Sequence, residues 1–239
     1  MREEERLTTI YEIAIAAAAE HAPTVRAWFE AGPRKIWPEL PGLRSFDAYL
    51  PVSGGKDPHV DDGAGPCVLC ILAFADEEAL RAAVSSATFT RGLADLPSTA
   101  TASADAMHRK CYGVDGEIDQ HELVAPFSYV VRYHRPAEDE RAFVAHYVAS
   151  HPALLATLPG IRSVLCYFPL AWSDPNGLPS ARYMLGNEVA FDSIDHFNAA
   201  MQSPVRHEVR AHYRNFPPFS GRNTHYPMLR ERLFQIGGS

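Results

Sequence analysis

The chain has 239 residues, 46% of them hydrophobic and 21% charged, and a formal net charge of −7. This composition excludes a mainly disordered chain and allows one large or two ordinary domains, each with a sizeable core. No Lys/Arg-rich run occurs, which argues against a nucleic-acid partner. The apolar stretch at 10–19 is short, is interrupted by Glu12 and follows acidic residues, so neither a signal peptide nor a membrane span is expected and the cytoplasm is the default compartment.

Taken in chain order, the first predicted strand puts Tyr11, Ile13 and Ile15 on one face. A helix is expected over about 23–38, stopped by Pro41-Gly42, and a second strand ends near Pro51. A loop rich in Gly, Pro and Asp follows over 52–65. It contains His59, Asp61 and Asp62, read as solvated loop charge rather than a metal clip. The third strand, ending at Phe74, carries a lone Cys67-x-x-Cys70. With no second pair at zinc spacing, these read as small buried hydrophobes on opposite strand faces. Asp76 caps the next helix, whose stripe is Leu80, Ala83 and Val84. A last strand carries Met107-His108.

The same series then recurs. Residues 40–51 (LPGLRSFDAYLP) align with 158–169 (LPGIRSVLCYFP), with seven of twelve positions identical at an offset of 118; chance would give about one. Residues 72–86 align with 189–203 at an offset of 117. In the second copy, 128–134 alternates with Tyr129, Val131 and Tyr133 on one face and Val130, Arg132 and His134 on the other. A helix follows over about 138–157. Ser193 caps a second helix carrying Phe197, Ala200 and Met201, and His225 lies on a last strand, aligned with His108. The expected class is α+β: two tandem ferredoxin-like β-α-β-β-α-β repeats, 1–120 and 121–239, each covering the bare face of the other's sheet.

The series Tyr147-x-x-x-His151-Pro152-Ala-Leu154, Leu158-Pro159-Gly160-Ile161-Arg162, Val189-Ala-Phe191-Asp-Ser193 and Phe197-x-Ala-Ala-Met201-x-Ser203 resembles the EthD-like family of the dimeric α/β-barrel superfamily. The resemblance covers nearly all of the second copy and, more weakly, the first. It implies an intramolecular, pseudo-dimeric α/β barrel. It also implies a place beside muconolactone-type isomerases, cofactor-free oxygenases of polyketides, dehydratases and haem-binding branches, while EthD-like members mostly lack an assigned reaction. In such a barrel the helices lie outside and Glu12, Arg132 and His134 face inward, where charge needs a partner. Glu188 is then a buried acid or the partner of Arg132.

The copies differ along the first helix. The second carries Phe143, His146, Tyr147, His151, Leu154, Leu155 and Leu158 on one face, where the first has Val25, Trp28, Phe29, Pro33, Ile36, Trp37 and Leu40. Imidazoles on an apolar stripe are costly unless hydrogen-bonded, and imidazole suits proton transfer near neutrality. His151, which matches the family motif, is the first candidate for general acid/base, with Tyr147 and His225 completing the catalytic set. His146, Trp172, Phe191 and Tyr183 are candidates to contact substrate. The plainer reading of the histidines, as satisfied core groups or stripe-edge residues, stays open beside this one, as does a structural role shared by His108 and His225. No cofactor and no metal site is expected. The leading expectation is a cofactor-independent isomerase, lyase or oxygenase acting on a small, largely apolar organic molecule. The rivals are a hydrophobic-ligand-binding accessory protein and a haem-binding barrel. No membrane partner is expected, and pairing into a homo-dimer of pseudo-dimers is left open.

Overall fold

The computed structural model describes residues 7–60, 62, 65–114 and 125–236. The expected boundary between 120 and 121, and Asp61, lie outside these residues. Eight strands run in chain order: β1 (Thr8–Ala17), β2 (Ser45–Pro51), β3 (Val68–Phe74), β4 (Ala100–Tyr112), β5 (Phe127–His134), β6 (Ile161–Pro169), β7 (Tyr183–Phe191) and β8 (Asn223–Gln235). They close an antiparallel barrel in the order β1-β3-β2-β8-β5-β7-β6-β4. Each half therefore has the ferredoxin-like order, and the halves join at two seams, β2 with β8 and β4 with β6. Closure leaves no free sheet edge.

Between these strands lie α1 (Ala22–Ala31), α2 (Pro33–Ile36), α3 (Glu77–Val84), α4 (Ala87–Leu93), α5 (Glu140–Leu155), α6 (Ile194–Met201) and α7 (Pro204–Tyr213). The caps follow the sequence: Asp76 accepts from the Ala79 amide at 2.9 Å and Ser193 from the His196 amide at 3.3 Å. Gly42 and Gly160 turn the chain at equivalent places with φ +69° and +72°, a conformation open to glycine. The long helix expected over 23–38 is broken at Gly32-Pro33. Proline has no amide to continue the ladder, and its ring crowds the preceding turn. The cysteines also depart from expectation. Cys67 precedes β3 and packs with Cys70 in the same helix-side core, both as free thiols.

Strand alternation sorts the core into three layers. Tyr129, Val131 and Tyr133 pack under the helices of the second repeat, as Tyr11, Ile13 and Ile15 do in the first. The opposite faces fill the barrel with Ile10, Leu69, Val130, Leu165 and Tyr167. Arg132 is buried here and chelates Glu12, with Nε at 3.1 Å, while Nη1 donates to the carbonyls of Val131 and Asn187. Arg132 thus pairs with Glu12 and not with Glu188. Glu188 instead accepts from the hydroxyls of Ser128 and Tyr167, each at 2.6 Å, and from Tyr49 at 3.3 Å. His134, at the barrel end, is half-buried and bonds the Ala181 carbonyl and Thr224. Changing Glu12→Gln leaves an uncompensated buried guanidinium and should cost about 3–5 kcal/mol in chemical denaturation, whereas Glu12→Met with Arg132→Met should cost clearly less.

Strand register corrects the alignment of the last strands. Val131 pairs with His225, and the equivalent Ile13 pairs with Ala104. Pro51 pairs with Met228, and the equivalent Pro169 pairs with Met107. All these pairings give an offset of 121, not 117, because four more residues separate Ser203 from His225 than separate Ser86 from Ala104. The counterpart of His225 is therefore Ala104, and His108 corresponds to Leu229. His225 is specific to the second repeat.

Candidate active site

Each β2–β3-type loop crosses a seam. Asp57, from the loop after β2, reaches the second repeat and accepts from the Tyr129 hydroxyl at 2.9 Å. Asp174, after β6, reaches the first repeat and accepts from Tyr11, the counterpart of Tyr129. The two halves diverge beneath these matched acids.

In the second repeat, Asp57 also meets Arg206 of α7 with both oxygens, at 2.9 and 2.8 Å, and its partner is nearly as buried as it is. Burial alone would raise the carboxyl; the Arg206 guanidinium and the His59 amide outweigh it and hold Asp57 below the ordinary carboxylate range. Asp62, on the same loop, accepts both the His225 amide and the ring Nδ1 at 2.7 Å. The ring lies over Tyr129, with centroids 5.7 Å apart. Burial lowers the His225 pKa and the Asp62 carboxylate opposes that shift, so the ring is neutral at pH 7 with its Nδ1 proton directed at Asp62.

His225, Tyr129, Asp57 and Val60 border two connected hollows. The inner one, about 60 Å³, lies between the sheet and α5 and α7 and reaches His151 and Asn187. The outer one, about 260 Å³, opens beside Asp62, Phe197 and Pro227. The inner volume admits part of a small molecule, and the two together admit a compact organic ligand.

Asp139 caps α5, and Phe143, Tyr147, His151 and Leu155 form its buried stripe. His151 Nδ1 lies 3.0 Å from Nδ1 of His212 on α7, whose Nε2 bonds Ser150 at 2.9 Å. One of the two rings must carry its proton on Nδ1 to make the contact. Burial, then the neighbouring His212 and Arg206, push His151 down to about 3. The unfolded chain takes up this proton below the ordinary value of 6.5 while the folded chain refuses it until about 3. Stability from this group is therefore complete above that ordinary value and falls with pH between the two. From neutrality to pH 5 it should lose about 2 kcal/mol, seen as a lower urea midpoint, and His151→Leu should remove that part of the slope.

The remaining sequence candidates are dispersed. Tyr147 is fully buried behind the cavity wall, its hydroxyl accepting from Asn187 Nδ2 at 2.5 Å. His146 stacks on the outer side of His212, with its Nε2 buried and unpartnered. Trp172 has crossed the seam to the first repeat, where it packs on Tyr11 beneath Arg81. Phe191 packs on Phe197 at the end of β7, and Tyr183 lies on the barrel side near Arg132. None of these five borders the inner hollow. Asp57, Asp62 and Arg206 do border the hollows and were not expected there. Arg206 did leave a signal, since the offset of 117 sets it on buried Phe89.

Among the described residues, the equivalent positions of the first repeat are filled by side chains. Asn187, Arg206 and His225 correspond to Cys70, Phe89 and Ala104, while Leu155 and Val209 correspond to Trp37 and Gly92. Trp37 is fully buried and stacks on Phe89 at 5.4 Å, with its indole N–H on the Phe89 carbonyl at 3.3 Å. Trp28 contributes less, since it lies toward the surface and donates to Ala94 at 2.8 Å. The polar positions Asn187, Arg206 and His225 are thus apolar in the first repeat, whereas the Asp57–Tyr129 pair is matched there by Asp174–Tyr11. Among the described residues, no group of three or more His, Cys, Asp or Glu side chains is placed to hold a metal ion.

The EthD domain family matches residues 135–217. This match lies within the second half of the chain. The matched region supplies His151, Asn187, Arg206 and His212, whereas Asp57, Asp62 and His225 come from outside it. Over its whole length the chain is similar in fold to solved structures. An anthrone oxidase-like protein shares 16% identity, covering 99% of this chain and 98% of that one, with a TM-score of 0.61. A putative monooxygenase from Lactobacillus acidophilus shares 10% identity over 93% and 94% of the two chains, with a TM-score of 0.54. One from Fusobacterium nucleatum shares 9% over 95% and 93%, with a TM-score of 0.53. No curated protein sequence matches the chain. Among the described residues no helix is long and apolar enough to cross a membrane.

Proposed function

We propose that the chain is a cytoplasmic, cofactor-independent enzyme of the isomerase, lyase or oxygenase type, acting on a small, largely apolar molecule that bears a hydroxyl or carbonyl group. The observation that carries this reading is the Asp62–His225 pair at a pocket whose counterpart positions in the first repeat are filled by Trp37, Phe89 and Ala104. A neutral ring whose Nδ1 proton is held by a carboxylate offers the Nε2 lone pair as a base, and the carboxylate stabilises the imidazolium that forms. His151, held down to about 3, is too weak a base for that task at neutral pH and serves as a hydrogen-bonding contact in the inner hollow. Asn187 and Tyr213 add neutral polar contacts there, Arg206 is neutralised by Asp57, and Arg210 also borders the hollow, so a hydroxyl or carbonyl oxygen of the substrate finds hydrogen-bond donors. The small ligand is the expected partner, with self-association into a dimer of pseudo-dimers.

The test is to find small phenols and ketones that bind the purified protein by thermal shift, then to follow each in deuterated buffer by NMR. Exchange of a carbon-bound proton or turnover in the wild type supports the reading. Tight binding without exchange or turnover overturns it in favour of a ligand-binding accessory protein, and a haem absorption band in the purified protein overturns it in favour of a haem barrel.

A further inference from the structure

A third hollow, of about 420 Å³, shares no residue with the candidate active site. It lies where the start of β1, the end of β3, the middle of β4 and the end of β8 meet the entry to β2. Its charged side chains are all arginine: Arg44, Arg109 and Arg232. This local excess runs against the chain's net charge of −7.

Arg109 Nη1 is buried without a hydrogen-bond partner, and Arg44 is exposed at the hollow, its guanidinium in no ion pair among the described residues. Arg232 donates from Nε to Asp47 at 2.5 Å, but Asp47 also faces Arg230 at 3.0 Å, so one carboxylate serves two guanidiniums. A buried unmet guanidinium donor is costly and calls for a missing acceptor. Thr8 and Ser45 add hydroxyls to the lining, while Leu7 and Ile236 stand at the rim 46% and 52% exposed.

We propose that this hollow binds an organic anion, a carboxylate or phosphate carrying a short apolar group. Planar guanidiniums from three chain segments match the oxygens of such a group, and Leu7 and Ile236 cover its apolar end.

The probe is phenyl phosphate, titrated into the full chain by calorimetry and mapped by amide NMR, with benzyl alcohol as the neutral control. Phenyl phosphate should bind with perturbation of the Thr8, Ser45 and Ile236 amides, and benzyl alcohol should not compete. Arg44→Gln and Arg109→Gln should each weaken binding about tenfold or more. Arg44 is exposed, so its variant keeps the test valid even if Arg109→Gln fails to fold. A dissociation constant above about 10 mM in the wild type overturns the proposal. So do affinity unchanged by Arg44→Gln and shifts confined to the Tyr129 and His225 amides.

Discussion

His225→Ala is expected to lower kcat/KM by about 10²–10⁴-fold on any substrate found by the screen, with little change in unfolding midpoint. The ring borders both hollows, and its loss removes the proposed base without emptying a packed core. Asp62→Asn should cost less, because Nε2 remains, but it should change the pH profile in a defined direction. Burial lowers the His225 pKa and Asp62 raises it. The base must be neutral to act, so in the wild type kcat/KM is level at neutrality and falls only on acidification below the ordinary imidazole range. Removing the anion lowers the pKa further, so the acid limb in Asp62→Asn should move to lower pH. A merely structural Asp62 would lower activity at all pH values and leave that limb in place. Parallel pH profiles of wild type and Asp62→Asn decide between the two.

Much of the fold was legible because it was written twice. Duplicated Leu-Pro-Gly turns, caps at Asp76 and Ser193 and alternating strands made the β-α-β-β-α-β order readable from local signals. That Glu12 and Arg132 face inward followed from alternation together with the barrel packing, since residues two apart share a strand face and the helices cover the other one. The pairing itself did not, because Glu12 and Arg132 lie 120 residues apart and Glu188 was an equally good partner by sequence. The site was less legible for the same reason. Asp62 looked like solvated loop charge and Asp57 drew no reading, because only the seam brings their loop onto the other repeat. Trp172 was expected at the second-repeat site, and its loop carries it to the first. His108 masked His225, because the alignment had no means of seeing four extra residues before the last strand. His212 gave no signal along its own helix, because its partner, His151, lies on the facing one.

Gly92→Ala is expected to destabilise the chain by about 2 kcal/mol, although alanine ordinarily improves a helix by up to about 1 kcal/mol over glycine. A Cβ at position 92 would lie 2.1 Å from Trp37 Nε1 and 2.5 Å from Trp37 Cδ1. Trp37 cannot swing aside, since it is fully buried and stacked on Phe89. Overpacking of this kind costs about 3 kcal/mol at the upper end of the usual range, which exceeds the gain in helix propensity. Changing Trp37→Leu, the residue type at the equivalent position 155, should itself cost somewhat less than the roughly 3–5 kcal/mol of full indole truncation. It also removes the obstacle. In that background Gly92→Ala should become neutral or stabilising, so the same substitution changes sign. The coupling between the two, from denaturation midpoints of wild type, both single variants and the double variant, should approach about 3 kcal/mol. A coupling near zero would mean that Gly92 is not what makes room for the indole. The closure of the first repeat's pocket would then rest on Phe89 and Pro33 alone, and the contrast with Arg206 and His151 would have to be argued without Trp37.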